Sequence, residues 1–377
     1  MNEQAADRQM EYIYLSAALF STMTTTMFKR IFTAAALCIS LWATTNSAAQ
    51  EQLRPYEKWE ATQFVALSGH QPIDYVTADN NWEITYNLRT PQTAGELRGK
   101  GIQCSDSQLM LLEIGGIIER TGGKWHTAIP ILDKRQTDSL RIFSKKVADD
   151  IYIKNQPDFI MLTNIIKDMG WEANTLSLMF SYLLDGRMWT KLLLFDDAGK
   201  HATWSGCYWI LYEPRPDAKY GTNGYGEQDL CLTYIDSGIA PSTNTMDKCA
   251  DEVRRNGKIN DPALVKQLIK YGMVDAQGNA LFPIIRRQDN AFHQTVNRLT
   301  ENISAALKGF CGSMSSQFGI KEEAVATVAL YHEVMWELMD RMEEDRILTV
   351  PGILKDSKRR GDGIGNLVFY IEGGLMQ

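Results

Sequence analysis

The chain has 377 residues, 44% of them hydrophobic and 23% charged, with a formal net charge of −7. That composition excludes collagen-like, low-complexity and disordered classes, and the acidic balance lacks the basic footprint of a nucleic-acid binder. The length suits about two domains with real cores.

Residues 27–50, MFKRIFTAAALCISLWATTNSAAQ, carry the pattern of a secretory signal. Lys29 and Arg30 supply the positive start, and Ile31 to Trp42 an apolar run too short to stop in a bilayer. Ser47 and Ala49 are the small residues a signal peptidase needs. Cleavage is expected before Gln50, with export to the periplasm or cell surface. The alternative is an uncut anchor over 31–42. A lipoprotein is disfavoured, because Leu37 precedes Cys38 where a small residue is wanted. The 26 residues before Met27 form no coherent element, so Met27 is the expected initiator. Removing residues 1–49 leaves 328 of the 377 and the same net charge, since that segment holds three basic and three acidic groups. No later apolar run reaches the length of a membrane span, so a soluble mature chain is expected.

Residues 105–120, SDSQLMLLEIGGIIER, predict a helix capped by Ser105, with Gln108 completing a capping box. GGKWHTAIPIL (122–132) predicts a turn and a strand. An amphipathic helix follows, with Leu140, Phe143, Val147 and Ile151 at helical spacing. NTLSLMFSYLLDGRMWTKLL (174–193) predicts another helix. The aromatic stretch 192–216 predicts β structure, with a hairpin turn at Asp196-Asp197-Ala198-Gly199. GTNGYG (221–226) is glycine-rich. Residues 261–287 repeat the first plan: Asp261 caps, Pro262 opens a helix ending near Gly272, a turn at Gln277-Gly278-Asn279 leads to ALFPII, and a long helix follows. Phe292, Val296, Leu299, Ile303 and Leu307 form its stripe. The last helix, 324–345, buries Val328, Tyr331, Met335, Leu338 and Met342. The shared order predicts an internal duplication.

Residues 91–132, PQTAGELRGKGIQCSDSQLMLLEIGGIIERTGGKWHTAIPIL, resemble a winged helix-turn-helix domain. TAGELRGK would be its second helix, 105–120 its third and 122–132 its wing; residues 261–286 resemble a fainter copy. The resemblance implies a third helix lying in the DNA major groove, with Arg, Lys, Asn or Gln reaching base edges. Here that helix offers Gln108, Leu109, Met110, Leu112, Glu113 and Ile114, and so reads as an apolar core helix. Only Ser105, Ser107 and Gln108 are left to face a base, and the wing adds only Lys124 and His126. Winged helices also serve as protein-binding scaffolds, so the resemblance implies a fold and no specific nucleic-acid partner.

No catalytic motif stands out. HEVMWELMD (332–340) lacks the second histidine of H-E-x-x-H, because position 336 is Trp. Its carboxylates, Glu333, Glu337 and Asp340, are expected on the solvated face, with His332 at the margin of the buried one. The glycines of 359–374 precede a strand-like LVFYIE rather than a helix, which excludes a dinucleotide loop and suggests a hairpin or a closing edge strand. Cys104, Cys207, Cys231, Cys249 and Cys311 contain no C-x-x-C, and their odd number leaves at least one unpaired within the chain. Neither a metal nor a cofactor is expected. The ligand-site candidates are Trp204, Tyr208, Trp209, Asn223 and Tyr225, aromatic rings beside flexible backbone that suit a protein, peptide or glycan ligand.

The expected fold is α+β: residues 50–216 and 217–377 as tandem winged-helix-like halves joined by a β-rich aromatic segment. The expected function is a non-enzymatic binding or scaffold protein of the cell envelope. The alternatives are a winged-helix transcriptional regulator and a hydrolase with an unrecognised site.

Overall fold

The computed structural model describes residues 60–61, 72–192, 209–213, 215, 220–225, 230–235, 241–286, 290–320, 322–351 and 369–373. The signal-like segment, the Asp196–Gly199 turn and Cys207 lie outside them. The fold is mostly helical with small sheets, an α+β mix. Packing gives two compact units, residues 1–131 with 198–211, and residues 132–197 with 212–377.

The first unit orders α1 (Pro72–Val76), α2 (Asn81–Asn87), α3 (Ala94–Gly99) and α4 (Asp106–Ile114), then a hairpin of β2 (Ile118–Thr121) and β3 (Lys124–Thr127). Between α2 and α3, Gln92 bridges to Trp125 of β3. Thr93 and Ser105 each form a capping box at the start of α3 and α4, satisfying amides that a helix start leaves unpaired. Helix α4 ends at Ile114, so residues 118–120 are strand where a continuing helix was expected. A Cβ at Gly115 would lie 2.7 Å from the Tyr75 ring, and Gly116, at φ +71°, turns the chain out of the helix. Gly122 and Gly123, both at positive φ, turn the hairpin. Val76, Ile84, Leu88, Leu97, Leu109 and Leu112 fill the core. Beyond the hairpin, Ile131 bridges to Leu211 of β4 (Leu211–Tyr212). The two-residue β1 (Glu60–Ala61) forms a ladder with β4.

The second unit is built on three long helices: α5 (Lys134–Asp168), α10 (Ala291–Phe318) and α11 (Glu323–Glu344). The stripes read in the sequence are buried along all three, except that Phe143 of α5 is only partly so. Polar ties fix their register. Arg298 grips Asp158 at 2.8 and 3.0 Å, Asn302 donates to Asn155 at 2.7 Å, and Tyr152 donates to Asp345 at 2.8 Å. The expected helix at 174–193 is only partly α. Helix α6 (Thr175–Ser177) and α7 (Met188–Leu192) flank a π-helix over Leu178–Arg187. Helix α8 (Thr243–Asn256) and α9 (Pro262–Leu268) follow, and α9 continues as a 3₁₀ turn to Tyr271. A four-stranded sheet runs in the order β5 (Tyr220–Tyr225), β6 (Leu230–Ile235), β8 (Phe369–Gly373), β7 (Ile284–Arg286). The C-terminal strand is therefore interior. It pairs antiparallel with β6 and parallel with β7, which corrects the expected closing edge strand.

Candidate functional site

Among the described residues of the first unit, the exposed large apolar side chains gather on helix α4. Leu109 and Leu112 point into the core, so the helical period sends Met110, Leu111 and Ile114 outward, where they are 58%, 60% and 60% exposed. The expected apolar core helix is thus apolar on both sides. Asp106, Ser107 and Glu113 share the exposed surface. Gln108, the residue best suited to a base edge, is committed within the unit, donating to Asn80 Oδ1 at 3.0 Å and Asn81 Oδ1 at 2.7 Å.

Several cations near α4 are also committed. Arg98 binds Asp106 at 2.5 Å and the Cys104 carbonyl at 2.9 Å. Lys124 of the hairpin lies 3.6 Å from Glu96, and His126 lies 3.3 Å from Glu119. The Arg120 guanidinium sits over the Trp125 ring, 5.1 Å from its centroid. The Thr93 backbone N–H holds the Glu96 carboxyl below its usual range, so this acid stays charged beside Lys124. A phosphate backbone would have to displace these partners.

Of the ligand residues suggested by the sequence, Trp209, Asn223 and Tyr225 lie among the described residues. Trp204 and Tyr208 lie outside them. Trp209 packs in the core of the first unit, 2% exposed. Tyr225 is buried at 4% exposure in the second, opposite Leu230 at the end of β5. Asn223 is on the same edge strand, opposite Leu232.

The helix bearing HEVMWELMD differs from expectation in its charges. Glu333 is 2% exposed, and Glu337 is also largely covered. Arg215 gathers them, lying 3.1 Å from Glu333, 2.8 Å from Glu337 and 3.2 Å from the half-exposed Asp340. Arg141 adds a second cation 3.6 Å from Glu333 and donates to the Glu213 carbonyl at 2.6 Å. The physical reason is a partner distant in sequence: these carboxylates are neutralised in place rather than solvated. Among the described residues, no group of three or more His, Cys, Asp or Glu is arranged to hold a metal.

The π-helix carries a second polar system. Ser177, Ser181, Thr222 and Thr233 form a chain of hydroxyls at 2.7, 2.6 and 2.9 Å. Asp185 accepts from Thr222, Trp189 and Tyr331, while burial pushes its carboxyl above the usual range. The Tyr331 hydroxyl also reaches the carbonyls of Leu184 and Asp185. These carbonyls belong to the widened turn, so the hydroxyl supplies a donor to backbone acceptors of the π-helix. Burial and Asp185 raise the Tyr331 phenol well above its ordinary value. His332 stacks edge-on against Tyr331 and Trp189, and burial lowers its imidazole to about 3. Such a ring is too weak a base to activate a nucleophile at neutral pH. The serines meet other hydroxyls, so this arrangement orders a core.

Cys104, Cys249 and Cys311 are free thiols. Burial pushes Cys249 up to about 12 and raises Cys311 as well, so both behave as inert core residues. No described helix is long and apolar enough to cross a membrane. No protein-family model, curated protein or solved structure matches this chain.

Proposed function

We propose that the chain is an exported, non-enzymatic α+β binding protein built from two winged-helix-like halves, with α4 as its protein-docking helix. The exposed Met110, Leu111 and Ile114 carry this assignment. Water-facing apolar side chains on the third helix suit a protein surface and give nothing to a base edge. The order helix, bridge, helix, helix, hairpin in the first unit supports a winged-helix arrangement. The order α9, Val274–Ala280 bridge, β7, long α10 supports a second, reduced copy. Export rests on residues 27–50.

A photo-crosslinking amino acid at Leu111, expressed in the native host, tests the assignment. A discrete protein adduct is expected. Adducts to DNA alone, or nanomolar binding of one promoter fragment at about 0.15 M salt, would favour the regulator instead.

A further inference from the structure

Helices α4 and α9 present the same six positions to solvent. Each starts after a side-chain cap, Ser105 or Asp261. The first exposes Asp106, Ser107, Met110, Leu111, Glu113 and Ile114; the second and its 3₁₀ extension expose Pro262, Ala263, Lys266, Gln267, Ile269 and Lys270. What differs is chemistry. The α4 face is apolar with an acidic edge, and Glu113 has no ion pair among the described residues. The α9 face is basic with an apolar edge: Ile269 is 44% exposed, and Lys266 and Lys270 have no ion pair among the described residues.

The periodicity of 3.6 residues per turn fixes where each group lies. On α4, Glu113 and Asp106 form one edge, Met110 and Ile114 the centre, and Leu111 with Ser107 the other edge. On α9, Ile269 and Pro262 occupy the edge that the acids hold on α4, Lys266 and Lys270 the centre, and Gln267 with Ala263 the other edge. Two parallel helices packed face to face oppose unlike edges. Leu111 then meets Ile269. The aliphatic stems of Lys266 and Lys270 cross Ile114 and Met110, and the Lys270 ammonium, level with Glu113, reaches toward that carboxylate, while Asp106 stays paired with Arg98. Antiparallel packing would set Glu113 on Ile269 and lose both matches.

From this charge and shape complementarity we infer that the α4 face of one copy docks on the α9 face of a second copy of the same chain. This inference rests on α4 being a protein-docking helix and names its partner. The contact is heterologous, because each chain carries both faces, so copies join head to tail. It is small and partly ionic, so it should be weak and salt-sensitive.

Sedimentation velocity on the full chain between about 1 and 100 μM tests this, a range suited to weak interfaces. The wild-type chain should sediment faster as concentration rises, and less so in high salt. M110D/I114D and K266E/K270E change only exposed side chains and should each remain monomeric with unchanged circular dichroism. An equimolar mixture of the two retains one good face of each kind and should give a dimer and nothing larger. A wild-type chain that stays monomeric throughout overturns the inference, and so does either variant that still associates. A mixture that stays monomeric overturns it as well. If K266E/K270E abolishes retention of duplex DNA and leaves association unchanged, the α9 face is a nucleic-acid surface instead. The Leu111 crosslink reads the parent assignment separately: a protein adduct alongside a monomeric wild type would remove only the self-partner.

Discussion

Gly278 shows how a single atom can decide a turn. Its φ is +79°, and a Cβ there would lie 2.0 Å from the Ile259 carbonyl oxygen. Ile259 N–H in turn donates to the Gly278 carbonyl at 2.8 Å, so the two backbones cannot part cheaply. Gly278→Ala should cost at least about 1–3 kcal/mol, read as a lower melting temperature. The Gln277-Gly278-Asn279 turn was legible in the sequence; the approach of Ile259, nineteen residues earlier, was not, because no local pattern encodes it. His332 gives a pH signature. Its folded value of about 3 lies below the ordinary 6.5, so the folded state binds fewer protons between the two. Its contribution is complete above 6.5 and is lost as pH falls, by about 1.4 kcal/mol per unit in that window. His332→Gln should therefore flatten the acid limb of stability between roughly pH 6.5 and 4 in urea melts. Asp185 has the opposite sign. Its raised folded value gives a contribution present at low pH and lost as pH rises above the unfolded carboxylate range. Asp185→Asn should reduce that loss, measured as a smaller fall in melting temperature toward pH 8.

At the scale of the element, the long helices separate what periodicity reveals from what it hides. The stripe of Val328, Tyr331, Met335, Leu338 and Met342 is buried as its spacing required. Leu338→Ala should cost about 2–5 kcal/mol by thermal or urea melt, as other buried leucines do. The other side of the same helix was misread. Glu333 and Glu337 look like a solvated face until Arg215 arrives from more than a hundred residues away. Arg215→Met would leave the buried Glu333 with only Arg141, 3.6 Å away, and should cost up to about 3–5 kcal/mol, more than any exposed arginine. Helix α5 shows the converse. A proline inside a helix ordinarily breaks or kinks it, yet α5 runs through Pro157 to Asp168. The inward stripe continues past it as the buried Phe159, Leu162 and Ile166, so packing holds both sides of the proline in one helix. The π-helix left no such trace, because the tyrosine hydroxyl bonded to its carbonyls comes from another helix, about 146 residues away.

For the whole molecule, charge and surface together limit the partners. A net charge of −7 repels nucleic acid at long range, and α4 presents Met110, Leu111 and Ile114 to solvent instead of arginines. Helix α4 itself was legible from its cap, but the outward turn of its apolar residues was not: a run such as LMLLEI fits either a core or a docking face until neighbouring elements claim one side. Compartment decides between the remaining functions, since a regulator must stay with the chromosome. Residues 27–50 combine a basic start, a short apolar run and small residues at 47 and 49, and removing 1–49 leaves the charge balance unchanged. The protein purified from its native host should therefore begin at or near Gln50, as read by intact mass and N-terminal sequencing. A chain that retains Met1 or Met27 would place the protein with the chromosome or on a membrane anchor, and would count against a protein-docking role in the cell envelope.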